Sequence, residues 1–153
     1  ITLCSNSFLV LMMSEKENMM PEGCVLLKGK NIEDERGMLT FVEGCTLPFE
    51  IKRMFWITSV PEGKTRGGHA HAVCSEAVFA VSGSFCIHLS DGENNVALKI
   101  SSPNEGVLVP AGIWCDLKDF SEDCVCVVAA SHPYDSNGYI NTYESYLEYR
   151  KRR

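Results

Sequence analysis

The sequence predicts an all-β fold, an antiparallel β-barrel or jelly roll with one short C-terminal helix. Three observations predict it. Short runs rich in Val, Ile, Phe and Cys follow one another at close intervals, and each is bounded by turn residues. Ser82-Gly83, Ser90-Asp91-Gly92 and Pro110-Ala111-Gly112 are turns with a mechanism, because glycine supplies positive φ and proline fixes φ. Helical periodicity is confined to the last segment.

In chain order, strands are expected over 24–28, 38–43, 50–59, 76–81, 85–89, 96–100, 106–109, 113–117 and 124–130. The first reads Cys-Val-Leu-Leu-Lys, the second lies between Gly37 and Gly44, and the third carries Arg53-Met-Phe55-Trp56-Ile. Glu76 opens the apolar run Ala77-Val-Phe-Ala-Val81, and Ser82-Gly83 turns it toward Phe85-Cys-Ile-His88-Leu. The run from Gly106 and the run from Ile113 flank the Pro110-Ala-Gly112 turn, and Cys124–Ala130 is apolar nearly throughout. Over 139–153, Ile140, Tyr143, Tyr146, Leu147 and Arg150 recur at three-to-four spacing after the polar pair Asn137-Gly138. That segment is read as a helix capping the barrel.

A chain of 153 residues with no internal repeat fits one domain, assigned to 21–153. Residues 1–20 are read as an N-terminal extension, disordered or upstream of a start at Met19 or Met20. No stretch approaches transmembrane length, so no membrane partner is expected. A formal charge of −6 argues against a nucleic-acid surface, and the basic run Arg150-Lys-Arg-Arg153 reads as a solvated terminus. The eight cysteines show no C-x2-C pair, and several sit in apolar runs. They are read as reduced, in a cytoplasmic protein.

The densest chemistry is Gly63-Lys-Thr-Arg66-Gly67-Gly68-His69-Ala70-His71, followed by Glu76 and Gly83. This is G-x5-H-x-H-x4-E-x6-G, which resembles the first signature of the cupin (RmlC-like) β-barrels. Residues two apart on a strand share a face, so His69 and His71 present two imidazoles to one cavity. A second cupin motif is approached by Gly106-Val-Leu-Val-Pro110-Ala-Gly112-Ile-Trp114-Cys115, with Cys115 where a third histidine is usual. The cupin metal set would be His69, His71, Glu76 and Cys115, donors that suit zinc or iron. Cys115 is read first as a buried apolar thiol rather than a ligand, and Glu76 either as a pocket carboxylate or as a solvated strand end.

Further words extend the likeness: Asp34-Glu-Arg36-Gly37-Met-Leu, Leu47-Pro-Phe-Glu-Ile-Lys52-Arg53, Ala130-Ser-His-Pro-Tyr134-Asp135 and Tyr139-Ile-Asn-Thr-Tyr143. With the histidine motif they resemble the sugar 3,4-ketoisomerases of TDP-4-keto-6-deoxyglucose, the WxcM-like cupins, over roughly residues 24–149. The resemblance implies a homodimer without cofactor or metal that shifts a ketone between C4 and C3 of a nucleotide-linked deoxysugar, with His69 and His71 as the catalytic pair. Imidazole suits that reaction, since a pKa of about 6.5 lets it accept and return a proton near neutrality. His71 is assigned as the base and His69 as its acid partner. Arg66 and Arg53 are the candidate cations for an enediolate or a pyrophosphate, against the reading of both as surface ion pairs. Glu76, Cys115 and Trp56 complete the expected substrate-binding set; Phe55-Trp56 stands where the family carries a tyrosine pair.

Two other classes stay open: a metal-dependent cupin enzyme using His69, His71, Glu76 and Cys115, and a non-catalytic cupin that binds a sugar nucleotide. His88 and His132 are read as structural or solvated, Tyr134 and Tyr143 as packing aromatics, and Trp114 as either a pocket wall or core.

Overall fold

Alternating side chains on short strands need two sheets to bury them, and the computed structural model supplies these in the residues it describes, 2–3 and 19–153. In chain order the strands are β1 (Thr2–Leu3), β2 (Val25–Lys28), β3 (Lys30–Asp34), β4 (Gly37–Phe41), β5 (Arg53–Thr58), β6 (Arg66–His71), β7 (Glu76–Ser82), β8 (Phe85–Ser90), β9 (Asn95–Ile100), β10 (Glu105–Val109), β11 (Trp114–Lys118), β12 (Val125–Ala130) and β13 (Tyr139–Ile140). Helix α1 (Tyr143–Lys151) closes the chain. One sheet runs β1-β9-β8-β11-β6-β13, the other runs β2-β10-β7-β12-β5, and β3-β4 is a separate hairpin. The two large sheets form an open jelly-roll sandwich rather than a closed ring.

Register explains the core. Phe55, Val128, Val78 and Val107 stand in one cross-strand row of the five-stranded sheet. They meet Phe85, Ile87 and Leu89 of β8 in the same apolar cluster. Phe85 and Ile87 are fully buried. The second layer of apolar side chains, Leu27, Ala77, Phe79, Leu108 and Ala129, is covered by Val42, Leu47 and Phe49 from the segment before β5.

Helix α1 covers the outer face of the six-stranded sheet. Its Tyr146 is fully buried against Ala70 and Trp114, and the Tyr146 hydroxyl lies 2.8 Å from Ser90 O and 3.0 Å from Gly112 O, both acceptors. The helix starts later than the periodicity suggests. Thr142 caps it by accepting from Ser145 N at 3.2 Å, while Tyr139–Ile140 is drawn into the sheet beside β6.

Two further expectations are corrected. Strand β3 was not anticipated, because Lys-Asn-Ile-Glu-Asp is exposed throughout and carries no one-sided pattern. The extension expected over 1–20 lies outside the described residues except for Thr2–Leu3, which pairs with β9, and for Met19 and Met20, of which Met20 packs on the core. Cys86 is disulfide-bonded, since an apolar strand position suits a half-cystine as well as a thiol. Cys24, Cys45, Cys74, Cys115, Cys124 and Cys126 are free, and burial pushes the Cys126 thiol up to about 12. No helix among the described residues is long and apolar enough to cross a membrane.

Phe85→Ala empties the centre of the sandwich and should lower unfolding free energy by about 3–5 kcal/mol. Urea denaturation followed by intrinsic fluorescence measures it; a loss below about 1 kcal/mol would contradict this placement of the core.

Candidate active site

The histidine strand is shaped by two glycines. Gly67 and Gly68 have φ of 77° and 74°, and a Cβ on Gly67 would lie 2.6 Å from the Cys115 carbonyl oxygen. Only glycine fits this close passage of β6 over β11, where the register shifts between Cys115 and Asp116. The result sets His69 opposite Cys115 on one side, while β13 sets Tyr139 opposite His71 on the other. The ring centroids of His69 and His71 are 4.9 Å apart, nearly edge-on. Tyr139 lies 4.9 Å from the first and 4.5 Å from the second.

The facing sheet contributes a charged row. Arg53 on β5 and Glu76 on β7 flank Ala130 of β12 from either side, and the small alanine lets the two long side chains meet above it. Arg53 Nη2 donates to Glu76 Oε1 at 3.4 Å, and His71 Nε2 lies 3.2 Å from the same oxygen. The angle at His71 is too poor for a hydrogen bond, so Nε2 is buried without a hydrogen-bond partner among the described residues, as is Arg53 Nε. Burial works against the charge on Arg53, but a hydrogen bond to Tyr139 and the fields of Tyr139, Glu76 and Cys74 outweigh it and hold its pKa above the ordinary value. The guanidinium also stacks 5.0 Å from the Phe55 ring centre and 5.8 Å from that of Tyr134. Burial, helped by the neighbouring His71, lowers the pKa of His69 against opposing pulls from Glu76, the Gly67 backbone and Asp116. His69 is therefore a neutral imidazole at neutral pH.

A cavity of about 270 Å³ opens onto this group and is lined by Arg53, His71, Cys74, His132, Tyr134 and Tyr139 among others. His71 faces the cavity and His69 stands behind it. The larger cavity, about 480 Å³, lies on the outer face of the five-stranded sheet and has no ionisable side chain in its wall, so it has no means of moving protons.

Of the expected site residues, His69, His71, Glu76 and Arg53 are brought together. Cys115 neighbours His69 but turns into the core, where burial, and next the charge of Glu76, drives its thiol pKa well up. It does not line the cavity. Arg66 is exposed at the start of β6, opposite Leu117. Trp56 is 68% exposed; it lies an odd number of residues from inward-facing Arg53, so it projects from the outer face of β5. Trp114 is under the helix, its Nε1 donating to Asp116 Oδ2 at 2.9 Å. His88 is likewise away from the site, sharing a surface cavity with Asp116 and Lys118.

The four cupin donors do not converge. Among the described residues, the compact group is His71, Cys74 and Glu76, with ligand atoms all within 4.8 Å of one another. Cys74, His132, Tyr134 and Tyr139 were missed as site residues. For the last three the only signal is membership of the words that carry the family resemblance.

Both His69 and His88 have pKa values lowered by burial. An unfolded histidine, at about 6.5, takes up protons that the native state refuses, so stability is constant above that pH and falls as pH drops below it. Melting temperature should decline from pH 7 to 5.5, and the doubly substituted His69→Asn, His88→Gln protein should show a shallower slope. Equal slopes would contradict the lowered pKa values.

The model of the family described as "FdtA: WxcM-like, C-terminal" matches residues 22–151. The TDP-4-oxo-6-deoxy-alpha-D-glucose-3,4-oxoisomerase of Aneurinibacillus thermoaerophilus is 36% identical over 121 residues, 78% of this chain and 87% of that protein. Among solved structures, the sugar 3,4-ketoisomerase QdtA of Thermoanaerobacterium thermosaccharolyticum in complex with TDP superposes with a TM-score of 0.84 at 35% identity, over 88% of this chain and 98% of the other. A histidine-to-asparagine mutant of the same enzyme, in complex with TDP-4-keto-6-deoxyglucose, gives 0.84 at 34% identity over the same shares of 88% and 98%. The match along nearly the whole sandwich, histidine strand and cavity loop included, places the chain in the WxcM-like, C-terminal (FdtA) family.

Proposed function

We propose that the chain is a 3,4-ketoisomerase of a TDP-linked 4-keto-6-deoxyhexose, TDP-4-keto-6-deoxyglucose being the substrate. The observation that carries the reading is a buried His71 at the cavity wall, backed by the Glu76 carboxylate at 3.2 Å and by a second imidazole behind it. Related enzymes act on such sugars, and one binds TDP.

The C3 hydrogen is acidified by the adjacent C4 ketone. His71 removes it as a proton, the electron pair moves to O4, and an enediolate forms. The O3 proton passes to O4, which becomes the C4 hydroxyl, a proton is returned to C4, and O3 becomes the new ketone. C3 is oxidised and C4 reduced within one molecule, so the balance requires no external oxidant. His71 gains charge in the step, and Glu76 stabilises it as imidazolium in the manner of a base and its orienting carboxylate. His69, neutral and edge-on behind His71, acts as the acid partner by relay, passing the proton for C4 to the sugar-facing ring rather than to the sugar itself. The Arg53 guanidinium, hydrogen-bonded to Tyr139, supplies positive charge at the wall where the enediolate forms. Arg66, exposed at the entrance to the histidine strand, is assigned to the diphosphate.

A homodimer is part of the proposal. Trp56, Met54 and Val81 are exposed on the five-stranded sheet, as are Ile32, Met38 and Leu39 on the β3-β4 hairpin. An apolar area of this extent fits a partner better than water. Six free thiols among the described residues favour a cytoplasmic setting, with the Cys86 disulfide as the contrary observation.

Incubation with TDP-4-keto-6-deoxyglucose in deuterated water tests the chemistry. Native protein should form the 3-keto product with deuterium exchange at C3. His71→Asn should lose exchange by at least about a hundredfold, whereas His69→Asn should keep exchange at C3 and lose product. Binding without exchange in the native protein would sink the reading and favour a sugar-nucleotide-binding cupin. Analytical ultracentrifugation tests the assembly: the native chain should sediment at twice its mass, and Met54→Lys with Trp56→Lys should sediment as a monomer.

A further inference from the structure

Proton transfer leaves the most buried thiol of the cavity wall, Cys74, without a role. Cys74 lies between β6 and β7 and is only 6% exposed, and its free thiol forms with His71 and Glu76 a cluster whose ligand atoms lie within 4.8 Å of one another. We propose that His71, Cys74 and Glu76 form a site for a thiophilic divalent cation, zinc fitting best, and that its occupancy arrests the enzyme. The arrest rests on the isomerase reading; the binding does not.

Geometry supports the site first. Tetrahedral zinc with bonds of about 2.0–2.3 Å sets its ligand atoms about 3.3–3.6 Å apart. His71 Nε2 and Glu76 Oε1 are already 3.2 Å apart, so only the thiol must close in, by side-chain rotation. His71 Nε2 is buried without a hydrogen-bond partner among the described residues, leaving a ring nitrogen that faces the cluster and whose lone pair an ion can take on displacing its proton. His71 and Glu76 are each 8% exposed. The cavity occupies the remaining side, where a water would complete the coordination.

Charge and softness agree. A thiolate and a carboxylate together cancel a dication, leaving only the charge of Arg53 uncompensated in a buried place where unbalanced charge is costly. Imidazole with thiolate selects zinc over calcium or magnesium. Arg53, 3.4 Å from Glu76, opposes the ion and weakens it relative to a dedicated zinc site. Ser131 Oγ, 3.9 Å from Cys74 Sγ and donating to it, steadies the sulfur. The set differs from the cupin donors in using Cys74 and in omitting His69 and Cys115. An ion on Nε2 obliges the neutral ring to carry its proton on Nδ1, so the nitrogen that would remove the C3 proton no longer has a lone pair.

The intact protein is titrated with Co²⁺, and the thiolate-to-cobalt charge-transfer absorption is read without substrate. One equivalent should produce the band, Zn²⁺ should abolish it, Cys74→Ser should lose it, and Cys115→Ser and Cys45→Ser should keep it. Absence of the band, its survival in Cys74→Ser, or its loss in Cys115→Ser overturns the site. In turnover, each variant is referred to its own metal-free rate. Zn²⁺ should abolish native activity and spare Cys74→Ser; native activity unaffected by Zn²⁺ at saturating cobalt-site occupancy overturns the arrest. Failure of the isomerase reading would appear as absent turnover with the cobalt band intact, a different result from failure of the site.

Discussion

A carboxylate that cannot be left alone organises this molecule. Glu76 has a side chain only 11% exposed, and the four residues that follow it on β7 are buried. An unpaired charge there would cost about 3–5 kcal/mol; Arg53 compensates it, and the nearest other polar group, His71, comes from the facing sheet. Arg53 reaches it along the row that crosses Ala130, and His71 reaches it across the sandwich. At this end the layers meet through polar side chains, while the apolar cluster joins them through the centre. Both strand register and sheet spacing must be correct for the triad to close.

The imidazoles are held by backbone as much as by neighbours. The His71 carbonyl accepts from Gly112 N at 2.7 Å, and the next residue, Ala72, donates to the Gly138 carbonyl at 2.9 Å. Tyr139, fixed by the same short pairing, lies against both rings. Behind them Ala70 and Trp114 are sealed by Tyr146 of the helix. The reacting side chains are thus preorganised by elements that do no chemistry.

Much of this was legible from residue order. Strands with a one-sided apolar pattern fell close to their observed limits, as at 85–89 against Phe85–Ser90, and the histidine pair follows from spacing two on a strand. The outward turn of Trp56 could also have been read, since its odd separation from Arg53 puts the two on opposite faces. What stayed hidden has a common cause. β3 is exposed on both sides and has no periodicity to betray it. His132 and Tyr139 reach the cavity through the return of the chain after β12 and the addition of β13, long-range events that also bring them over Cys74 in the β6–β7 connection and that have no local pattern. The Cys86 linkage depends on another cysteine's position in space, which strand composition does not encode.

The cavity wall is split between two kinds of backbone. The groups assigned to move protons and balance charge stand on strands whose register is locked by the core, whereas His132, Pro133, Tyr134 and Asp135 belong to the single connection from β12 toward β13. Substitution or lengthening of that connection reshapes the mould around a ligand while leaving the charged row and the paired imidazoles in place. The architecture therefore separates two evolutionary variables: a lineage can change which sugar it accepts by drift in one exposed segment, without crossing an intermediate that has lost its chemistry.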